Sequence, residues 1–70
     1  MDAFTQRRLL KFVTDFRAKS GTPPTLQDFE IGGFSKQLIE EAVKKNLLEM
    51  FYVNLTSGTV VKTYRIKDPV

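Results

Sequence analysis

The sequence predicts an α+β fold that is mainly helical, with three helices followed by a two-stranded β-hairpin. Two observations carry this prediction. Apolar residues recur at three- and four-residue intervals through the first two thirds of the chain, and glycines, prolines and helix-capping residues separate the periodic segments. The last third contains LEMFYVN and VVKTYRI, which are rich in β-branched and aromatic residues and are separated by LTSGT.

The first helix is expected over about residues 3–19. Asp2 is the expected N-cap, Gly21 is a helix stop, and Pro23-Pro24 prevents the helix from resuming. The apolar arc of this helix is expected to contain Phe4, Leu9, Leu10, Phe12, Val13 and Phe16.

The second helix is expected over about residues 25–31. Thr25 is its predicted N-cap, and Asp28 stands three residues further on, in a capping-box arrangement. Gly32-Gly33 ends the helix, because two successive glycines are unfavourable in a helix and suit a turn. The expected buried side consists of Leu26, Phe29 and Ile31.

The third helix is expected over about residues 35–46. Ser35 is its predicted cap, and Asn46 tolerates the left-handed conformation with which many helices end. The expected apolar stripe consists of Leu38, Ile39, Ala42 and Val43, continued by Leu47.

The hairpin is expected over about residues 48–66, with Gly58 in the left-handed position of a three-residue loop, Thr56-Ser57-Gly58. Pairing across this loop places Leu48 opposite Ile66, Glu49 opposite Arg65 and Met50 opposite Tyr64. The apolar members of these pairs are expected to face the core. Alternation then sends Phe51, Val53 and Val61 to the other face of the hairpin.

This order of elements is that of the winged helix-turn-helix fold, and we expect one such domain over residues 1–70. Within it, GTPPT followed by LQDFEIGGFS resembles the amino-terminal winged-helix domain of the LexA-type SOS repressors. The match covers about half of the chain and is carried by Gly21, Pro23, Pro24, Thr25, Gly33, Phe34 and Ser35. The resemblance implies the fold and a general capacity to bind DNA. The second and third helices are expected to be shorter here than in the repressors, and no protease domain is expected to follow them. The repressor's operator and self-cleavage are therefore not carried over.

Composition restricts the classes of function. The chain has 70 residues, with 11 Lys and Arg against 8 Asp and Glu, and its net charge of +3 permits nucleic acid as a partner. It contains no Cys and no His, which excludes disulfides and any thiolate or imidazole zinc site. No apolar run approaches the ~20 residues of a membrane span. We therefore expect a cytoplasmic location and no membrane partner.

Catalysis is not expected, because the chain has no His to act as a general base and no Cys to act as a nucleophile. Ser20, Ser35 and Ser57 are each explained by a helix end, a helix cap or a turn. Gly32-Gly33 lacks the Lys-Ser/Thr that follows the glycines of a phosphate loop. The sequence therefore predicts a protein that is not an enzyme and has no cofactor, no metal and no small-molecule substrate.

The predicted function is that of a small regulator, in transcription or as a recombination accessory, that binds double-stranded DNA. The third helix is expected to expose Lys36, Gln37, Glu40, Glu41 and Lys44. Lys36, Gln37 and Lys44 are predicted to address the major groove, where Gln pairs with adenine and Lys with guanine. The predicted phosphate contacts are Arg7, Arg8, Lys11 and Lys62.

A second hypothesis stays open. Glu40–Lys44 and Glu41–Lys45 have the spacing of ion pairs on a solvated helix, and two carboxylates on this face would repel phosphate. An apolar strip on the hairpin would be a contact surface for a second copy or for another protein. The strip consists of Phe51, Val53 and Val61. The fold would then be a protein-interaction module that modulates a larger nucleic-acid machine without binding DNA itself.

Overall fold

The computed structural model describes residues 1–67, so the end of the predicted domain, residues 68–70, lies outside the described residues. It has the predicted order of three helices and an antiparallel hairpin, which is a mainly helical α+β arrangement with a winged-helix layout. The elements are α1 (Ala3–Ser20), α2 (Leu26–Ile31), α3 (Lys36–Lys44), β1 (Leu48–Asn54) and β2 (Val60–Ile66).

Helix α1 begins and ends where its local chemistry dictates. The Thr5 N–H donates to the Asp2 carboxylate at 2.7 Å, which satisfies one of the free N–H groups of the first turn. At the other end Gly21 adopts φ 72° and donates its N–H to the Arg17 carbonyl at 2.9 Å. Both predicted boundaries are therefore confirmed to within one residue.

The capping box of α2 is present. The Asp28 N–H donates to the Thr25 hydroxyl at 3.2 Å, and the Thr25 N–H donates to the Asp28 carboxylate at 2.9 Å. Two of the free N–H groups at the start of a six-residue helix are thereby satisfied by side chains.

Helix α3 begins at the predicted cap and ends earlier than expected. The Leu38 N–H donates to the Ser35 hydroxyl at 3.2 Å. The helix ends at Lys44 because Asn46 has φ 63°, and the Leu47 N–H then donates back to the Ala42 carbonyl at 2.9 Å. This is the left-handed termination that the asparagine predicts.

A small core joins all five elements. Phe29 lies at its centre, with ring centroids 5.2 Å from Phe12, 6.1 Å from Phe34 and 5.7 Å from Tyr64. Phe12 also packs against the backbone at Gly32. The buried hydrophobic residues are Leu9, Val13, Phe29, Phe34, Ile39, Ala42, Leu48 and Tyr64.

Two side chains predicted to be buried are exposed, Phe4 by 67% and Ile31 by 79%. The reason is angular. At about 100° a residue, Phe4 lies on the opposite side of α1 from Val13, nine positions along. Ile31 lies about 200° around α2 from the buried Phe29. Both side chains were predicted to be buried because they are apolar. They are exposed because each lies on the side of its helix that faces away from the core.

The hairpin register is as predicted throughout, from Leu48 opposite Ile66 to Asn54 opposite Val60. The Leu55 N–H donates to the Thr59 carbonyl at 2.8 Å and closes the three-residue loop, in which Gly58 has φ 87°. A right-handed turn followed by a left-handed glycine is the usual geometry of this loop length.

Strand β2 is also joined to the connection between α1 and α2. The Tyr64 N–H donates to the Pro24 carbonyl at 3.0 Å, and Thr25 forms a β-bridge with Thr63. Pro24 and Thr63 are both buried. The hairpin is thus held against the helices on the β2 side, and β1 is its outer strand.

Candidate nucleic-acid interface

The outward surface of α3 carries the residues predicted to address the major groove. Lys36, Gln37 and Lys44 are all exposed, and none of them forms an ion pair within residues 1–67. The expected Glu40–Lys44 pair is not formed in this part of the chain either. An exposed pair of this kind gains little free energy, so both groups stay in water.

Glu41 differs from its prediction, because it is half-buried rather than exposed. Its carboxylate accepts hydrogen bonds from the Lys45 ammonium at 3.0 Å and from the Met1 ammonium at 3.1 Å. The bond to Lys45, followed by that to Met1, lowers the pKa of Glu41, and the same pair raises the pKa of Lys45. One of the two carboxylates expected on the outer face of α3 is therefore neutralised by two cations.

A shallow groove lies between α3 and the hairpin, and a lysine of the hairpin lies in it beside the third helix. Lys62 lines this groove together with Glu40. The remaining lining residues are Val43, Met50 and Tyr64. Met50 faces the core side as predicted but is 36% exposed, because it lines this open groove.

The three cations of α1 that are predicted to contact phosphates have different environments. The Arg8 guanidinium lies 5.4 Å from the ring centroid of Phe34, the residue that precedes the cap of α3, and 6.0 Å from that of Phe4. Lys11 pairs with Asp15 at 3.2 Å. Arg7 is exposed and makes no ion pair in the described part of the chain. The cation–π contacts give Arg8 a structural role near the start of α3.

The tip of the hairpin is uncharged, and apart from Leu55 it is polar. Ser57 donates to the Thr59 hydroxyl at 3.2 Å, and the residues from Asn54 to Thr59 are exposed. These hydroxyl and amide groups can donate to phosphate oxygens, but they add no charge to the surface.

The predicted apolar strip is less open than expected. Phe51, Val53 and Val61 are each half-buried, and the Arg65 guanidinium lies 4.7 Å from the ring centroid of Phe51. Arg65 also donates through Nε to the Glu49 carboxylate at 2.9 Å. The more exposed apolar side chains lie on the other face of the hairpin and at its tip. They are Met50, Tyr52, Leu55 and Val60.

The structure has a second cationic surface, which the sequence did not predict. Arg17 of α1 lines a groove with Arg65 and Lys67 at the open end of the hairpin, and Glu49 is the acidic residue among them. The residues lie far apart in the chain, so only the hairpin register combined with the packing of α1 brings them together. The register alone was predictable.

No family model, curated protein or solved structure matches this chain. The resemblance to the LexA-type repressors therefore stays a prediction from the GTPPT and GGFS segments. Among residues 1–67, no helix is both long and apolar enough to cross a membrane, and no three acidic side chains come together as a metal site would require.

Proposed function

We propose that this protein binds double-stranded DNA through α3 and the adjacent hairpin, as a small non-enzymatic regulator of transcription or recombination in the cytoplasm. The observation that carries the proposal is the outer surface of α3. Lys36, Gln37 and Lys44 are exposed there and unpaired within the described residues, while Glu41 is neutralised by Lys45 and the Met1 ammonium.

The dimensions of α3 suit this role. A helix with its side chains is about 10–12 Å across and fits a major groove about 12 Å wide. In helix-turn-helix proteins the residues near the start of the recognition helix contact base edges. Lys36 and Gln37 occupy the first turn of α3, where Lys suits guanine and the Gln amide suits adenine.

Cations on either side of α3 would hold the phosphates. Lys62 lines the groove beside the third helix, and Arg8 lies over Phe34 next to the start of that helix. Arg7 and Lys11 extend the positive charge along α1. Lys11 would exchange its exposed partner Asp15 for a phosphate, which costs little because that ion pair is solvated.

Duplex binding measured by fluorescence anisotropy against salt tests the proposal. If about five phosphates are neutralised, the logarithm of affinity falls with the logarithm of salt with a slope of about −4 to −5. Lys62→Ala, at a predicted phosphate contact, is expected to weaken binding and to reduce that slope by about 1. Lys19→Ala removes an exposed cation at the far end of α1 and is the matched control. Binding that is undetectable at low ionic strength, or insensitive to salt, contradicts the proposal.

The protein-interaction module is the second candidate, and the half-buried strip of Phe51, Val53 and Val61 is the observation that favours it. The double substitution Phe51→Ser and Val53→Thr distinguishes the two functions. Loss of function in this variant, together with an unaffected Lys36→Ala variant, favours a protein partner. The reverse pattern favours DNA.

A further inference from the structure

The backbone of β1 has hydrogen-bonding groups that point away from β2. The Leu55 N–H donates to the Thr59 carbonyl, and the Lys67 N–H donates to the Leu47 carbonyl at 3.2 Å. In an antiparallel ladder such hydrogen-bonded pairs alternate with pairs whose N–H and C=O groups point outward. The outward groups of β1 therefore belong to its even-numbered residues, which include Met50, Tyr52 and Asn54.

The two edges of the hairpin differ in whether these groups are satisfied. On β2, the outward N–H of Tyr64 donates to the Pro24 carbonyl, and Thr25 bridges Thr63. On β1, the outward N–H and C=O groups of Met50 and Tyr52 have no backbone partner among residues 1–67. The hydrogen bond from Tyr64 to Pro24 also confirms which residues have outward groups. Tyr64 stands directly opposite Met50, and both members of such a pair point their N–H and C=O groups away from the ladder.

Strand β1 also lacks the features that usually protect a free edge. It contains no proline and no lysine, and its pairing with β2 is regular over all seven residues. Its one charged residue, Glu49, is held by Arg65. Tyr52 is 65% exposed beside these free backbone groups. An unprotected edge with apolar side chains is a template for another strand.

We propose that β1 pairs antiparallel with β1 of a second copy of this chain, about a two-fold axis at Phe51, so that two hairpins form one four-stranded sheet. A second copy is the occupant because the strand is complementary to itself. In this register the residues from Glu49 to Val53 pair across the axis, and Met50 and Tyr52 exchange hydrogen bonds in both directions. Glu49 lies opposite Val53 rather than opposite another carboxylate, so the pairing brings no like charges together.

Sedimentation equilibrium of the protein alone tests this pairing. The mass is expected to rise with concentration from 8.0 kDa towards twice that value. Tyr52→Pro removes an outward N–H on β1 in both copies and is expected to raise the dimer dissociation constant about tenfold. The matched control is Lys62→Pro, directly opposite on β2, which removes an outward N–H from the other edge and is expected to leave the dimer intact. Far-ultraviolet circular dichroism verifies that each variant is folded.

A cysteine pair tests the register without a proline. The chain has no cysteine of its own, and the two copies of Phe51 would form a non-hydrogen-bonded pair with Cα atoms about 4.5 Å apart. This distance is within disulfide range, so Phe51→Cys is expected to give a covalent dimer under mild oxidation. Val53→Cys is the control on the same face, because its copies would lie about 13 Å apart, at the separation of four residues along a strand.

Three results would overturn the proposal: a mass of 8.0 kDa at every concentration, a dimer unaffected by Tyr52→Pro, or equal cross-linking of the two cysteine variants. If Tyr52→Pro does not fold, the cysteine pair decides. A free edge that serves another protein's strand would leave the isolated chain monomeric, which also counts against the proposal. No step involves DNA, so the result is independent of the proposed function.

Discussion

Gly32 shows how one position can depend on a single aromatic ring. Its φ of −77° is accessible to any residue, so the backbone does not require glycine there. A Cβ atom would lie 2.5 Å from Cε2 of Phe12, however, and that ring is packed against Phe16, Phe29 and Phe34. The glycine is therefore needed for space and not for conformation.

Gly32→Ala is expected to lower the free energy of unfolding by about 1–3 kcal/mol, because the packed ring cannot move away without disturbing its neighbours. In a Phe12→Ala background the same substitution should be neutral or slightly stabilising, since alanine reduces the entropy of the unfolded chain. Urea unfolding of the wild type, the two single variants and the double variant gives the coupling free energy between the two sites. An equal loss of unfolding free energy in both backgrounds would show that contact with the Phe12 ring is not the reason that Gly32 is required.

Glu41 gives a residue-scale prediction of pH dependence. Its pKa is lowered from the ordinary 4.5 by the hydrogen bonds from Lys45 and the Met1 ammonium. A carboxyl with a lowered folded-state pKa contributes stability above its unfolded pKa and loses it as the pH falls through the folded pKa. The wild type is therefore expected to lose more stability below pH 4.5 than Glu41→Gln. Parallel thermal midpoints against pH for the two proteins would contradict this.

At the scale of elements, α2 depends on its cap more than the longer helices do. It has six residues, and isolated helices below about 12–15 residues are marginal. The Thr25–Asp28 capping box and the burial of Phe29 are what hold it. Thr25 also forms an isolated β-bridge with Thr63, so its backbone pairs with β2 while its side chain caps the helix.

Thr25→Ala is expected to cost about 0.5–2 kcal/mol of stability through loss of the N-cap. Thr25→Ser retains the hydroxyl and should cost distinctly less, which separates capping from the loss of side-chain volume. Chemical denaturation gives both values. A serine variant as unstable as the alanine variant would assign the effect to the methyl group instead.

At the scale of the whole molecule, the sequence predicted the elements better than their packing. Thr25 with Asp28, Asn46 and Gly58 each identify a boundary by local backbone chemistry, so the helices and the hairpin register followed from the sequence. The exposure of Ile31 did not, because it depends on the direction in which a short helix presents its last residue.

The candidate interface was predictable to a similar extent. The exposure of Lys36, Gln37 and Lys44 follows from the apolar stripe of α3, which leaves those positions outside. The position of Arg8 over Phe34 and the two cations around Glu41 could not be predicted. Both depend on where α1 lies relative to Phe34 and where Met1 lies relative to Glu41, and these placements are a property of tertiary packing alone.

The hydrogen bond from Tyr64 to Pro24 has a consequence for folding kinetics. It joins positions forty residues apart, and Tyr64 packs its ring on Phe29 of α2 at the same place. The connection between α1 and α2 is thus complete only when the hairpin is docked. Contacts of this sequence separation slow folding, because the loop must close before they form. We therefore expect the helices and hairpin to fold in one cooperative step, with amides of α2 and β2 exchanging with solvent through the same global opening.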